Sequence, residues 1–228
     1  MATPLPPLEA EAALALFKER SPAFIAAYLR DEPVRRLQIG AGSSRRGGWL
    51  NTDIEPANGL AFLDASKPFP LEDGTFHYVA SEHVIEHLTY EEGQVMIAES
   101  FRVLAPGGTV RIATPDLRVL IDLFKENKSE EARRYLAEKV RQYRWPTDPA
   151  PETIILNLQM SSWGHKFLYD AETLMPALSR AGFVSVKKFT VGKSDDPALD
   201  GLEARFDGHF GHVNDYETMV IQATKPAR

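Results

Sequence analysis

The chain of 228 residues contains no cysteine. That absence excludes disulfides, thiolate metal sites and a cysteine nucleophile together. No apolar run approaches the roughly 18 residues of a membrane span, so no membrane partner is expected. Basic charge is in deficit, with 26 Lys and Arg against 32 Asp and Glu and a formal charge of −6. Nucleic acid demands a concentrated basic surface. The two small basic clusters, Arg45/Arg46 and Arg133/Arg134, lie near acidic residues or in a predicted loop, so no nucleic-acid partner is expected. The N-terminus, MATPLPPLEAEAALALFKER, is acidic where an export signal needs basic residues, which makes a cytoplasmic location the expectation. What remains, 43% hydrophobic and 25% charged residues, is ordinary for a soluble globular chain. Its length suits one domain, on a prior of roughly 150 residues each.

Between residues 37 and 116 the chain presents a series of short apolar runs. They are LQIGAG (Leu37 to Gly42), LNTDIE (Leu50 to Glu55), FLDASKPFP (Phe62 to Pro70), FHYVASEHVIEHL (Phe76 to Leu88) and TVRIATPD (Thr109 to Asp116). Each ends in glycine or in carboxylate, hydroxyl or imidazole groups. Helical spacing separates some of them: Ile97, Phe101 and Leu104 share a face, and APGG (Ala105 to Gly108) stops that helix. Strands alternating with helices predict an α/β fold with a Rossmann-like, mostly parallel sheet and helices on both faces. Upstream, Leu8, Ala12 and Leu16, then Phe24, Ala27 and Leu29, predict two short helices broken at Ser21-Pro22. Residues 1–33 thus read as a helical N-terminal extension of a single domain.

Residues 117–170 break the strand–helix rhythm and read as an inserted helical lid, with a helix over Ser129 to Tyr143 and a proline-rich break over Arg144 to Glu152. Asp170 then caps a helix that ends at Gly182, with Pro176 inside it. Phe183 to Val191 and Thr218 to Thr224 predict an antiparallel C-terminal edge hairpin, joined by a polar loop. Ligands of such sheets bind outside the carboxyl ends of the strands, so lid and hairpin loop should both overhang the site.

Gly40 and Gly42 let the backbone turn and approach a ligand with no Cβ in the way, although a plain strand-end turn uses glycine equally well. Arg45 stands where a dinucleotide fingerprint needs its third glycine. Only eleven residues separate Gly42 from Asp53, so the first crossover must be shortened. NAD is disfavoured on both counts. Asp53, at a strand tip, can accept two hydrogen bonds from a ribose diol. Asp64 is suited to an exocyclic adenine amine. For each carboxylate alone, a turn-capping role is the alternative.

Taken together, these segments resemble the class I S-adenosylmethionine-dependent methyltransferases. The likeness is to a small bacterial branch with a glycine loop, GWxNxDI, D-x-S-K-P-F-P, SEHVxEHL and RVLxPGG ahead of a strand ending TPDL. Here these are Gly40 to Gly42, Gly48 to Ile54, Asp64 to Pro70, Ser81 to Leu88 and Arg102 to Leu117, about 80 contiguous residues, with a weaker echo over His165 to Phe183. Gln38 departs from the broad family, many of whose members carry an acidic residue there. The resemblance implies S-adenosylmethionine as cofactor. It places Gly40, Ala41 and Gly42 beside the methionine moiety, Asp53 with Ile54 at the ribose, Asp64 with Ala65 at the adenine, and Ser81, Glu82 and His83 near the sulfonium. It also implies methyl transfer to a small-molecule substrate, pointing to a sugar or glycan-precursor hydroxyl. A cofactor-binding regulator or scaffold without catalysis is the alternative.

Where the acceptor carries a proton, methyl transfer needs a base, and imidazole suits that role near neutral pH. His165 and His83 are the catalytic candidates, with His87, Tyr169 and Asp116 behind them. His83 to His87 also spells HxxEH, a pattern of inverted zinc peptidases. It begins at a strand end without an evident distal carboxylate, so no metal is expected. A lid rich in aromatic and histidine residues (Tyr143, Trp145, Trp163, His165, Phe206, Phe210) suits an enclosed pocket or the lid's own small core.

Overall fold

Leu37, Ile39, Leu50, Phe76, Val79, Val110 and Ile112 are all buried, as side chains must be when both faces of a parallel sheet are covered. In the computed structural model, which describes residues 7–143, 151–203 and 208–227, they form the centre of a seven-stranded sheet. The strands are β1 (Arg36–Ile39), β2 (Leu50–Asp53), β3 (Ala61–Phe62), β4 (Phe76–Glu82), β5 (Leu104–Pro115), β6 (Val184–Phe189) and β7 (Thr218–Thr224). Their order is β3-β2-β1-β4-β5-β7-β6. Strands β1 to β5 pair in parallel, while β7 is antiparallel to both β5 and β6. The mostly parallel sheet with an antiparallel C-terminal edge is therefore as the sequence led us to expect. No helix lies between β1 and β2, so the first crossover is indeed shortened.

Helix α1 (Pro7–Asp31) is one continuous element of 25 residues, not two helices broken at Ser21-Pro22. Pro22 removes a single backbone bond, and Ser21 offsets it. Its hydroxyl donates to the Phe17 carbonyl at 2.7 Å and accepts from the Phe62 N–H at 2.7 Å, pinning the helix to β3. Helix α2 (Tyr90–Val103) starts with a capping box: Thr89 accepts from the Glu92 N–H, and the Glu92 carboxylate accepts from the Thr89 N–H. Between β4 and α2 the chain makes only one 3₁₀ turn, Ile85–His87.

Helices α3 (Leu117–Asp122), α4 (Glu130–Tyr143) and α5 (Pro151–Ser161) follow β5, and α6 (Ala171–Arg180) precedes β6. Asp116 and Asp170 cap α3 and α6. The connection from β6 to β7, expected as a loop, instead contains α7 (Gly208–Glu217). Leu120, Leu123, Tyr135, Leu136, Ile155, Leu168 and Val213 build a second core from α3, α4, α5 and α7, separate from the core on the sheet. Trp145 and Phe206, expected in the lid, lie outside the described residues, as do most of the proline-rich break and the side chains of Tyr143, His209 and Phe210. Among the described residues, no helix is long and apolar enough to cross a membrane.

Candidate active site

From β1 the chain builds outward to β2 and β3, and from β4 it builds the other way to β5. The order therefore reverses between β1 and β4, and the crevice at their carboxyl ends is where such sheets take ligands. Gly40 follows β1 with φ +65°, and a Cβ there would strike the Val84 side chain from the turn after β4. Only glycine lets these two loops come so close. Gly42 has φ +50°, and nothing lies within 4 Å of where its Cβ would be, leaving open space beside the backbone.

Asp53 ends β2 and holds the glycine loop in place of the missing helix. One carboxylate oxygen accepts from the Gly42 N–H at 2.8 Å and the other from the Glu55 N–H at 3.0 Å. Each oxygen keeps a lone pair for a further donor. Asp64 uses only Oδ1 internally, accepting from the Ser66 N–H and hydroxyl. A cavity of about 560 Å³ opens over these groups, within the size range of small-molecule sites.

Of the residues expected at the cofactor, Gly40, Gly42, Asp53, Ile54, Asp64, Ala65 and His83 line this cavity. Ala41, Ser81 and Glu82 do not. Ala41 packs against Phe17 and Leu60, Ser81 is buried between the registers of β1 and β5, and Glu82 is buried against the Arg46 guanidinium at 3.0 Å. All three support the lining from behind. Glu55, His87, Leu88, Glu92, Trp163 and Lys166 are among the other residues of the wall; Lys166 pairs with Glu92 at 3.1 Å across the rim. Sequence reasoning missed this pair; Glu92 is placed by the capping box at the start of α2. A larger cavity of about 760 Å³ lies behind Asp64, between α1 and residues 62–72. It is a mostly apolar groove that also carries Lys18, Lys67 and Glu72 but neither the glycines nor the histidines of the strand-end crevice.

His83 occupies the left-handed region at φ +53°, uncommon for a residue with a Cβ and costly unless its surroundings enforce it. Three contacts do so: its N–H donates to the Ala113 carbonyl at 2.9 Å, Nδ1 meets Glu86 at 2.9 Å, and Nε2 meets the Asn214 oxygen at 3.2 Å. Burial opposes the charged ring, but the hydrogen bond and charge of Glu86, with Asn214 and Glu217, outweigh it and push its pKa up to about 9. Burial likewise opposes the Glu86 carboxylate, and His83 holds its pKa below the usual value. The raised pKa favours the His83 cation at neutral pH, in which both ring nitrogens donate, to Glu86 and Asn214.

His165 reaches the site through the turn after α5. The Glu86 carbonyl accepts from the Lys166 and Phe167 N–H groups at 2.8 and 3.2 Å, which sets His165 edge-on to His87 with ring centres 4.8 Å apart. Its Nδ1 is 2.6 Å from the Gln159 carbonyl oxygen and must carry the proton, so in the neutral ring Nε2 holds the lone pair. His165 does not line the larger site cavity. It lines a second one of about 260 Å³, with Pro115, Lys139, Gln159 and Glu217; His83, His87 and Trp163 line both. Burial lowers the His87 pKa, reinforced by the neighbouring histidines. Tyr169 and Asp116 line neither cavity. Burial pushes the Tyr169 pKa up to about 12, and Asp116 is tied to Lys188 at 2.6 Å.

Glu86, His87 and His165 bring one potential ligand atom each within 4.8 Å of one another. Both Glu86 oxygens are already engaged, by His83 and by the Thr114 hydroxyl at 3.0 Å. The HxxEH spacing spans a 3₁₀ turn instead of a helix face.

Residues 51–112, from β2 through β5, match the sequence model of a family described as a methyltransferase domain. This likeness covers 62 of the 228 residues. The fold is similar to that of an S-adenosylmethionine-dependent methyltransferase from Mesorhizobium loti, with TM-score 0.51 and 16% identity over 90% of this chain and 97% of that one. An S-adenosylmethionine-dependent methyltransferase from Archaeoglobus fulgidus matches with TM-score 0.49 and 19% identity over 93% and 94% of the two chains. Phosphoethanolamine N-methyltransferase 2 of Haemonchus contortus, in complex with S-adenosyl-L-methionine, matches with TM-score 0.46 and 17% identity over 90% of this chain. This chain spans about half of that protein, 52% of its length. No curated protein matches the sequence. The open space at Gly42 and the unused lone pairs of Asp53 and Asp64 fit the nucleoside end of S-adenosylmethionine.

Proposed function

We propose that this chain transfers a methyl group from S-adenosylmethionine to a hydroxyl of a small molecule, of the sugar or glycan-precursor kind, with His165 as the base. The observation that carries the reading is the pair of cavities sharing His83, His87 and Trp163 as a common wall, one lined by Asp53 and Asp64 and the other by His165. The cofactor supplies an electrophilic methyl carbon on a sulfonium. In-line attack by the acceptor oxygen forms the C–O bond while the C–S bond breaks, and its electron pair neutralises the sulfur. The hydroxyl proton passes to Nε2 of His165, whose ring the Gln159 carbonyl holds in the required tautomer. Lys139 of α4, Gln159 of α5 and Glu217 of α7 line the acceptor side, where holding the acceptor beside the cofactor aligns the two reactants.

Calorimetry with S-adenosylmethionine and NAD tests the first half: the former binds and the latter does not. For the second half, His165→Ala lowers turnover by about 10²-fold or more, the usual scale of general base catalysis, and leaves cofactor affinity within twofold. Weakened cofactor binding with intact turnover would remove His165 from the base role.

A further inference from the structure

We propose that the 260 Å³ cavity is an acceptor subsite for one neutral, polyhydroxylated ring, and that Glu217 orients that ring. The inference rests on the methyl-transfer reading and names the substrate class and a positioning residue for it. Glu217 is the last residue of α7, and its carbonyl accepts from the Asp116 N–H at 2.7 Å, which fixes it above the end of β5. Three donors converge on its Oε2: the Tyr135 hydroxyl at 2.6 Å, the Gln159 amide at 3.0 Å and the Lys139 ammonium at 2.9 Å. Its carboxylate is thereby held in one orientation, with Oε1 left to meet the cavity. An ionised carboxylate only accepts, so the complementary group on a ligand is a donor such as a hydroxyl.

The charges around the cavity cancel. Among the described residues that line it, Glu86 and Glu217 are matched by His83 and Lys139, and each carboxylate already has its cation. An anionic acceptor would meet Glu217 head-on. A cationic one would have to compete with Lys139 and His83 for carboxylates they hold at 2.9 Å. A neutral ligand disturbs neither pair. The volume of about 260 Å³ lies just below the roughly 300–1,000 Å³ of drug-sized ligand sites, which suits a single ring rather than an extended chain. Trp163, on the wall shared with the cofactor cavity, offers an aromatic face to the apolar side of such a ring.

The test measures methyl transfer from labelled S-adenosylmethionine to methyl α-D-glucopyranoside, glucose 6-phosphate and glucosamine, with the wild-type chain and Glu217→Gln. The variant keeps a carbonyl oxygen for the three donors but turns an NH₂ toward the cavity in place of the free oxygen. The neutral glycoside is expected to be the best acceptor by at least tenfold in kcat/KM. In the variant its KM rises at least tenfold, kcat changes less, and the melting temperature and cofactor affinity stay near wild type. Preference for the phosphorylated or amino sugar overturns the proposal, as does an unchanged KM in a folded variant. Calorimetry on the wild type separates the two levels. Loss of S-adenosylmethionine binding removes the methyl-transfer reading, whereas intact binding with refusal of the neutral glycoside removes only the subsite.

Discussion

Replacing Asp53 with alanine separates cofactor recognition from folding more cleanly than any other change at this site. The carboxylate sits at the tip of β2, where it accepts from the Gly42 N–H at 2.8 Å and the Glu55 N–H at 3.0 Å. Both amides are at the surface, so water replaces the carboxylate in the variant, and each lost bond costs no more than about 0.5–1.5 kcal/mol of stability. Binding suffers more. Hydrogen bonds to a charged acceptor contribute roughly 1.5–3 kcal/mol. The expected loss is about 10- to 150-fold in Kd. Asp53→Asn, which keeps one oxygen and no charge, should fall between alanine and wild type. Titration calorimetry with S-adenosylmethionine reads the effect, and circular dichroism melts of the same samples verify the fold. A Kd within twofold of wild type in a folded Asp53→Ala protein would refute the placement of the ribose.

The His83–Glu86 pair makes stability depend on alkaline pH. A folded pKa of about 9 against the ordinary 6.5 means that the contribution of His83 is complete below pH 6.5 and is lost as pH rises through about 9. The slope is at most about 1.4 kcal/mol per pH unit, and urea melts of His83→Gln across that range should be flatter than those of wild type; parallel curves would show that the ring is not held as a cation. Elsewhere, Arg111 is fully buried and forms a double contact with Glu203 at 2.7 and 2.6 Å. Glu203→Ala leaves that guanidinium with only the Lys193 carbonyl and Gln222 and should cost about 3–5 kcal/mol in chemical denaturation, a loss below 1 kcal/mol arguing against the pairing.

What could be read from the chain was local. Strand tips carrying Gly40, Asp53, Asp64 and His83 announce themselves because an apolar run and its polar terminus are adjacent in sequence, and the sheet brings them to one cavity. The short distance from Gly42 to Asp53 foretold the missing helix for the same reason. Long-range pairing was not legible. That His83 is held as a cation depends on Glu86 folding back in a tight turn and on Asn214, 131 residues away. Helix α7 was missed because its sequence, GHFGHVNDYE, is poor in helix formers. Tertiary packing supplies what propensity lacks, including the stacking of Tyr216 on Tyr135 at 4.8 Å. Glu217 was hidden with it. The continuous α1 was misread because the hydroxyl of Ser21 compensates for Pro22 through a contact with β3 that no local pattern reveals.

The two separate cores have a bearing on how this scaffold can change. Leu120, Tyr135, Ile155 and Val213 pack among themselves in the helical layer, while the strands whose tips line the proposed cofactor cavity rest on a different set of side chains. Substitutions in distant, unshared neighbourhoods combine additively. The helical layer can therefore be recut for a new acceptor while the nucleoside grip is inherited intact, with His83, His87 and Trp163 as the few positions where a change on one side is felt on the other.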